Sequence, residues 1–164
     1  MAQRISESGA IDLGLLVSQR RVCLVREALE NDPSLLRRWR WSGQHPLHRA
    51  AAAGDTEMVS LLLRFGADAN ERAAWGWYSP LHLACKHGHE RVIWLLLNHG
   101  AKWSVTDKAK RTPLEWATRA GKASIAYRVD QQLHAREKAA KAEALLTRTQ
   151  RDPATPLTFA SFGL

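Results

Sequence analysis

One tetrapeptide returns along this chain at a nearly fixed interval. His45-Pro-Leu-His48 recurs as Ser79-Pro-Leu-His82 and as Thr112-Pro-Leu-Glu115, at offsets of 34 and 33 residues. Gly54, Gly88 and Gly121 keep the same offsets, and Gly66 recurs at Gly100. Between the glycines lie the apolar stretches Met58-Val-Ser-Leu-Leu-Leu63 and Val92-Ile-Trp-Leu-Leu-Leu97. Independent features that agree on one period confine the chain to a repeat architecture, in which each unit buries its apolar face on its neighbours.

Each recurring residue has a physical task. Ser79 and Thr112 can cap a helix through its free amides, and the proline that follows loses nothing at the first helical position. Gly54, Gly88 and Gly121 fall where a short helix must reverse through a left-handed conformation. A second helix follows with leucines at its buried positions, and Gly66 and Gly100 release it into a loop.

The motif resembles the ankyrin repeat, whose signature Thr-Pro-Leu-His is matched best at Ser79–His82 and closely at the other two sites. The run Leu61-Leu-Leu-Arg-Phe-Gly-Ala-Asp-Ala-Asn70 is similar to that family's second helix and loop entry. The resemblance covers roughly residues 11–135. It implies an all-α solenoid of paired antiparallel helices with β-turn fingers. Residues 45–78 and 79–111 are two full repeats, 11–44 an N-terminal cap and 112–135 a divergent last repeat. Val25, Ala28 and Leu29 of the cap align with Val59, Leu62 and Leu63 at offset 34. The cap lacks the Pro-Leu-His signature and has Asp32-Pro33 where the helix-ending glycine would be. In the last repeat Glu115 replaces histidine.

Outside the repeats lie residues 1–10 and everything after 135. No Gly or Pro interrupts residues 122–152, and Ile125, Val129 and Leu133 share one helical stripe. These predict a helix of some 25 residues that runs past the stack as an extension over 136–148. Residues 149–164 read as an extended tail. Its aromatic Phe159 and Phe162 suit either a disordered terminus or a peptide that docks in a partner's groove.

Composition narrows the function. Two cysteines, Cys23 and Cys85, are too few for a disulfide framework or a four-cysteine zinc site, and suit a reducing compartment. No apolar run approaches the ~20 residues of a membrane helix. Glu7 and Asp12 interrupt what a signal peptide would keep free of acid. The expectation is a soluble intracellular protein, cytoplasmic, with cytoskeletal, ciliary or organellar assemblies as possible settings. The net charge is +8, with residues 101–164 carrying twelve basic and six acidic side chains while 45–100 carry five of each. A neutral body with basic flanks favours acidic partners, nucleic acid included.

The family fold implies that His48 and His82 bond backbone groups of neighbouring loops rather than act catalytically. His87 and His89 flank a turn glycine with no cysteine or acid at ligand spacing, so no metal is assigned, and no cofactor either. There is no P-loop, dinucleotide glycine motif or nucleophile elbow, which argues against an enzyme.

Binding in this family uses the fingers and inner helices, so departures from pattern at those places carry the information. The finger Glu71-Arg-Ala-Ala-Trp-Gly-Trp-Tyr78 is one residue longer than the next, since Gly66 to Pro80 spans 14 and Gly100 to Pro113 spans 13. Its Trp75, Trp77 and Tyr78, beside Arg72, are candidate anchors, because Trp and Tyr dominate interface hot spots. The preceding finger region holds Arg37, Arg38, Trp39, Arg40 and Trp41. The following one holds Lys108, Lys110 and Arg111. Trp94, where the preceding repeat has Ser60, is expected to be exposed on the outer face. Trp103, Trp116 and Cys85 are expected in the core.

The edge predicted this way alternates cations with indoles. It would grip an acidic protein segment through ion pairs and cation–π contacts. The leading reading is a non-catalytic adaptor or scaffold subunit of a larger assembly. The alternative is an RNA-associated peripheral subunit of a ribonucleoprotein, since the same surface could stack bases and pair phosphates.

Overall fold

A computed structural model describes residues 13–38 and 43–151. Among the described residues there are helices and no strand. The helices are α1 (Leu13–Ser18), α2 (Val22–Asn31), α3 (Leu35–Arg38), α4 (Pro46–Ala53), α5 (Thr56–Arg64), α6 (Pro80–His87), α7 (Glu90–Asn98), α8 (Pro113–Arg119) and α9 (Ala123–Arg151). Apart from the single turn of α3, they pack as the pairs α1–α2, α4–α5 and α6–α7, with α8 followed by α9 in the same order, and the first members start at 13, 46, 80 and 113. This is the interval read from the tetrapeptide.

The first helices pack in one row, α1 on α4, α4 on α6 and α6 on α8, and the second helices in another, α2 on α5 and α5 on α7. The core is the seam between the rows. Leu13, Val25 and Leu29 fill it in the first pair, Leu47, Met58 and Leu62 in the second, Leu81, Ile93 and Leu96 in the third. Each of these side chains is fully buried, an apolar contribution of about 1.5–3 kcal/mol apiece.

The turn chemistry follows the sequence reading. Thr112 Oγ1 accepts from Glu115 N at 3.3 Å while Glu115 Oε2 accepts from Thr112 N at 3.0 Å, a reciprocal capping box. Gly54 ends α4 at φ +70°. A methyl group there would lie 2.5 Å from the His89 ring, so the left-handed turn and the inter-repeat contact both require glycine.

The N-terminal pair solves the same turn differently. Arg20 lies 34 residues before Gly54 and adopts φ +55° without being glycine. Its guanidinium donates from Nη2 to Ala53 O at 2.8 Å, and its Nε lies 3.9 Å from Asp55 Oδ2. The strain of the left-handed arginine is offset by tying the first unit to the second.

The chain divides into two units that meet between Tyr127 and Arg128, inside α9. In the first, Ala126 is buried. In the second, residues 134–144 are exposed along the helix. The predicted uninterrupted helix is present and is 29 residues long.

Candidate functional site

Two histidines tie each finger to the next. His48 Nε2 lies 3.2 Å from Tyr78 O, and His82 Nε2 lies 3.1 Å from Arg111 O. His82 also accepts from Ser79 N at Nδ1, 3.1 Å away. A backbone N–H can only donate, so the ring is the neutral Nε2-protonated tautomer and Nε2 gives its proton to Arg111 O. Burial pushes the His48 pKa down from 6.5 to about 4 and lowers that of His82 too. Both histidines have the structural role that the resemblance implied. His89 adds a third tie, with Nε2 3.0 Å from Ala52 O.

The fingers close on themselves and on each other. Ala73 N bonds Tyr78 O at 2.9 Å, and Asp107 N bonds Arg111 O at 2.9 Å, so the first loop encloses one residue more than the second. Between fingers, Ala74 N reaches Gly43 O at 2.8 Å and Lys108 N reaches Gly76 O at 2.9 Å. The extra residue is therefore accommodated beside Gly76, at φ +88°.

One position is left-handed in every finger: Gly43 at φ +73°, Trp77 at +56° and Lys110 at +59°. They are spaced by 34 and 33 residues. Glycine holds this conformation freely, whereas other L-residues lose about 1–2 kcal/mol. Trp77 and Lys110 are both exposed, so their side chains recover little of that by burial.

Among the described residues of the fingers, Trp75 and Trp77 are the most open aromatic groups, at 75% and 57% exposure. Arg72 Cζ lies 5.8 Å from the Trp77 ring centre, within cation–π range. The Trp75 indole crosses the neighbouring finger so closely that a methyl group on Gly43 would meet its Cδ1 at 2.6 Å. Arg72 on the same finger, and Lys108 and Lys110 on the next, are exposed. The structure therefore brings Arg72, Trp75, Trp77, Lys108 and Lys110 onto adjoining fingers.

Other expected anchors lie elsewhere. Tyr78 is half-buried, and its hydroxyl accepts from Gln44 Nε2 at 2.6 Å. Its ring packs edge-on against His48 and tilted against Trp116, with centres 5.9 and 5.4 Å apart. It is a strut between fingers, not a free anchor. Arg111 is half-exposed and paired with Asp107 at 2.7 Å. Trp94 is half-buried and engaged, not exposed. Arg37 is exposed but belongs to the helical turn α3 rather than to a finger loop. The Arg38 side chain, Trp39, Arg40, Trp41, Phe159 and Phe162 lie outside the described residues.

Trp103 and Trp116 are half-buried rather than core. Their counterparts one repeat earlier, Ala69 and Leu83, are buried. Among the described residues no further first-row helix follows α8, so nothing covers the last unit as each earlier one is covered. Trp116 instead donates from Nε1 to Asp107 Oδ2 at 2.9 Å.

Asp107 is buried and receives several donors. Its Oδ1 accepts from Ala109 N and Arg111 N, each at 2.8 Å, and its Oδ2 from Arg111 Nε at 2.9 Å. Burial alone would raise its pKa. The backbone and guanidinium of Arg111, with the Trp116 indole, outweigh burial and hold it at about 2. Cys85 is buried as expected, and burial pushes its thiol up to about 12.

Paired helices stacked in two rows and joined by hydrogen-bonded fingers define an α-helical repeat solenoid. The chain belongs to the ankyrin-repeat family: the family model described as ankyrin repeats, three copies, matches residues 13–107 and again 47–129. A search among curated proteins returns no match. Ankyrin repeats generally mediate protein–protein interaction, and such domains are typically non-catalytic. Among the described residues no helix is long and apolar enough to cross a membrane.

Proposed function

We propose that this chain is a protein-binding adaptor or scaffold subunit of a larger assembly, whose finger edge grips an acidic segment of its partner. The observation that carries the reading is the left-handed pair Trp77 and Lys110. Both stand at the position that Gly43 holds in the first finger, at a conformational cost that burial does not repay. A strained, exposed tryptophan and lysine on adjoining fingers are accounted for by contact with something outside the stack. Trp75, Arg72 and Lys108 around them give an indole surface rimmed by cations, complementary to carboxylates beside apolar side chains. The α9 extension and the tail beyond it supply a second docking element in this reading.

An RNA-bound peripheral subunit is the second reading, favoured by the same interleaving of exposed indoles with Arg72, Lys108 and Lys110. One experiment separates the two. The tagged protein is recovered from native lysate with and without nuclease, beside the Trp75→Ala, Trp77→Ala double variant. Stoichiometric proteins that survive nuclease and are lost from the folded variant support the adaptor. Their loss with the nucleic acid supports the alternative, and retention by the variant removes the finger edge from both.

A further inference from the structure

A recess at the last finger pair lies apart from the exposed indoles. Lys86 from the last turn of α6, Arg111 from the finger, and Trp116, Arg119 and Ala120 from α8 and its end line a cavity of about 280 Å³. Its floor is the Trp116 ring, held in place from several sides. The indole N–H is spent on Asp107, the Tyr78 ring centre lies 5.4 Å away, and His82 meets it edge-on, also at 5.4 Å. Above this fixed floor stand cations: Lys86 Nζ is 5.8 Å and Arg111 Cζ 5.6 Å from the ring centre.

The charges do not cancel. Asp107 neutralises Arg111 through contacts at 2.7 and 2.9 Å, which leaves Lys86 and Arg119. Glu115, one turn before Arg119, has its carboxylate turned back onto Thr112 N to cap α8. Neither Lys86 nor Arg119 forms an ion pair among the described residues. Two uncompensated cations thus share a side-chain-sized recess with an arginine already fixed in place.

We infer that this recess is an anion-binding subsite that takes one acidic side chain of a partner peptide, a carboxylate or a phosphate, between Lys86 and Arg119 and beside the Trp116 ring. The inference rests on the reading of the chain as a protein binder. A nucleic-acid base fits poorly, since Tyr78, His82 and the two cations already pack against the Trp116 ring and restrict the area left for stacking. A carboxylate or phosphate needs only the cations and gains from a recess with partial exclusion of water.

The test uses the full chain, labelled with nitrogen-15 and titrated at low salt with a hexaglutamate peptide, a singly phosphorylated serine peptide and an oligouridylate. The Trp116 indole N–H signal is assigned by its loss in Trp116→Phe. With hexaglutamate this signal should shift, and Lys86→Gln with Arg119→Gln should weaken binding about tenfold, as expected for two ion pairs at a partly exposed site. Trp75→Ala with Trp77→Ala should leave the Trp116 shift in place. A response to the phosphopeptide alone keeps the anion subsite and identifies phosphate as its ligand. Hexaglutamate binding that survives Lys86→Gln with Arg119→Gln but is lost with the finger tryptophans overturns the subsite and spares the finger reading. Silence of Trp116 towards both peptides, or a response only to oligouridylate, also overturns it. Both substituted positions are exposed, and a circular-dichroism melt confirms that each variant is folded.

Discussion

The indole N–H of Trp116 donates to the buried carboxylate of Asp107 at 2.9 Å, and the same oxygen takes Arg111 Nε at 2.9 Å. The last finger is therefore locked onto the last inner helix by one side chain. Asp107→Asn should cost about 2 kcal/mol, the amount implied by a carboxyl pKa lowered from 3.8 to about 2. A lowered carboxyl favours the folded state above the unfolded pKa, and the benefit is lost as pH falls through about 2. Urea midpoints at pH 7 and pH 3 check this: the native protein should lose more stability over that step than Asp107→Asn does from this source.

The neutral histidines act over a different pH range. His48 binds its proton at about 4 in the fold and at 6.5 unfolded, so the unfolded chain takes up more protons between those values. Its contribution is complete above pH 6.5 and drains away as pH falls towards 4, by about 3 kcal/mol in all, with His82 adding in the same direction. Denaturant midpoints measured from pH 7.5 to 4.5 should fall steeply for the native protein and less steeply for His48→Gln, which starts from lower stability.

Strain at the fingertip can be measured by two substitutions of the same residue. Trp77→Gly relieves the φ of +56° while Trp77→Ala keeps it, so the glycine variant should be the more stable by about 1 kcal/mol. Both should bind partner equally poorly. Equal stabilities would mean that the left-handed position carries no cost, and the main argument for a functional Trp77 would go with it.

Gly54 and Gly100 separate backbone strain from crowding. Both have positive φ, +70° and +83°, yet a methyl group at Gly100 meets nothing within 4 Å. Gly100→Ala should cost about 1–2 kcal/mol from backbone strain alone. Gly54→Ala should add about 1–3 kcal/mol of overpacking against His89, which thermal melts of the two variants would resolve.

Thiol reactivity should divide cleanly. Cys85 is buried with its thiol pushed up to about 12, whereas Cys23 is exposed. A disulfide-exchange reagent at pH 8 should label one thiol quickly in the folded protein and both in denaturant. Rapid labelling of two would show that the α6 seam opens more readily than its packing implies.

Much of the fold was legible because its determinants recur. The tetrapeptide, the turn glycines and the leucine runs each recur at the repeat interval, and the structure has helix pairs at that spacing. The ties made by His48 and His82 followed from the family resemblance, and the burial of Cys85 from its place on the first helix of its repeat. What escaped was aperiodic or disguised. Arg20, Trp77 and Lys110 hold glycine-type conformations under other identities, and only alignment with Gly54 or Gly43 at the repeat spacing would have exposed them. The Asp107–Trp116 lock has no counterpart, since Ala73 and Leu83 occupy the matching places one unit earlier. Tyr78 reads as an anchor in the sequence because it follows two tryptophans, both of which are exposed. Its position opposite Gln44, one repeat away, turns it inward as a strut instead.

The bond from Ala73 N to Tyr78 O has a consequence for how such a chain can change. It seals the base of the finger, so of the four residues between, 74, 75 and 77 can be rewritten without the helices registering the edit. The stack then works as a chassis and the fingertip as an interchangeable cassette. A library varied at 74, 75 and 77 with Gly76 kept should return mostly folded members with new preferences.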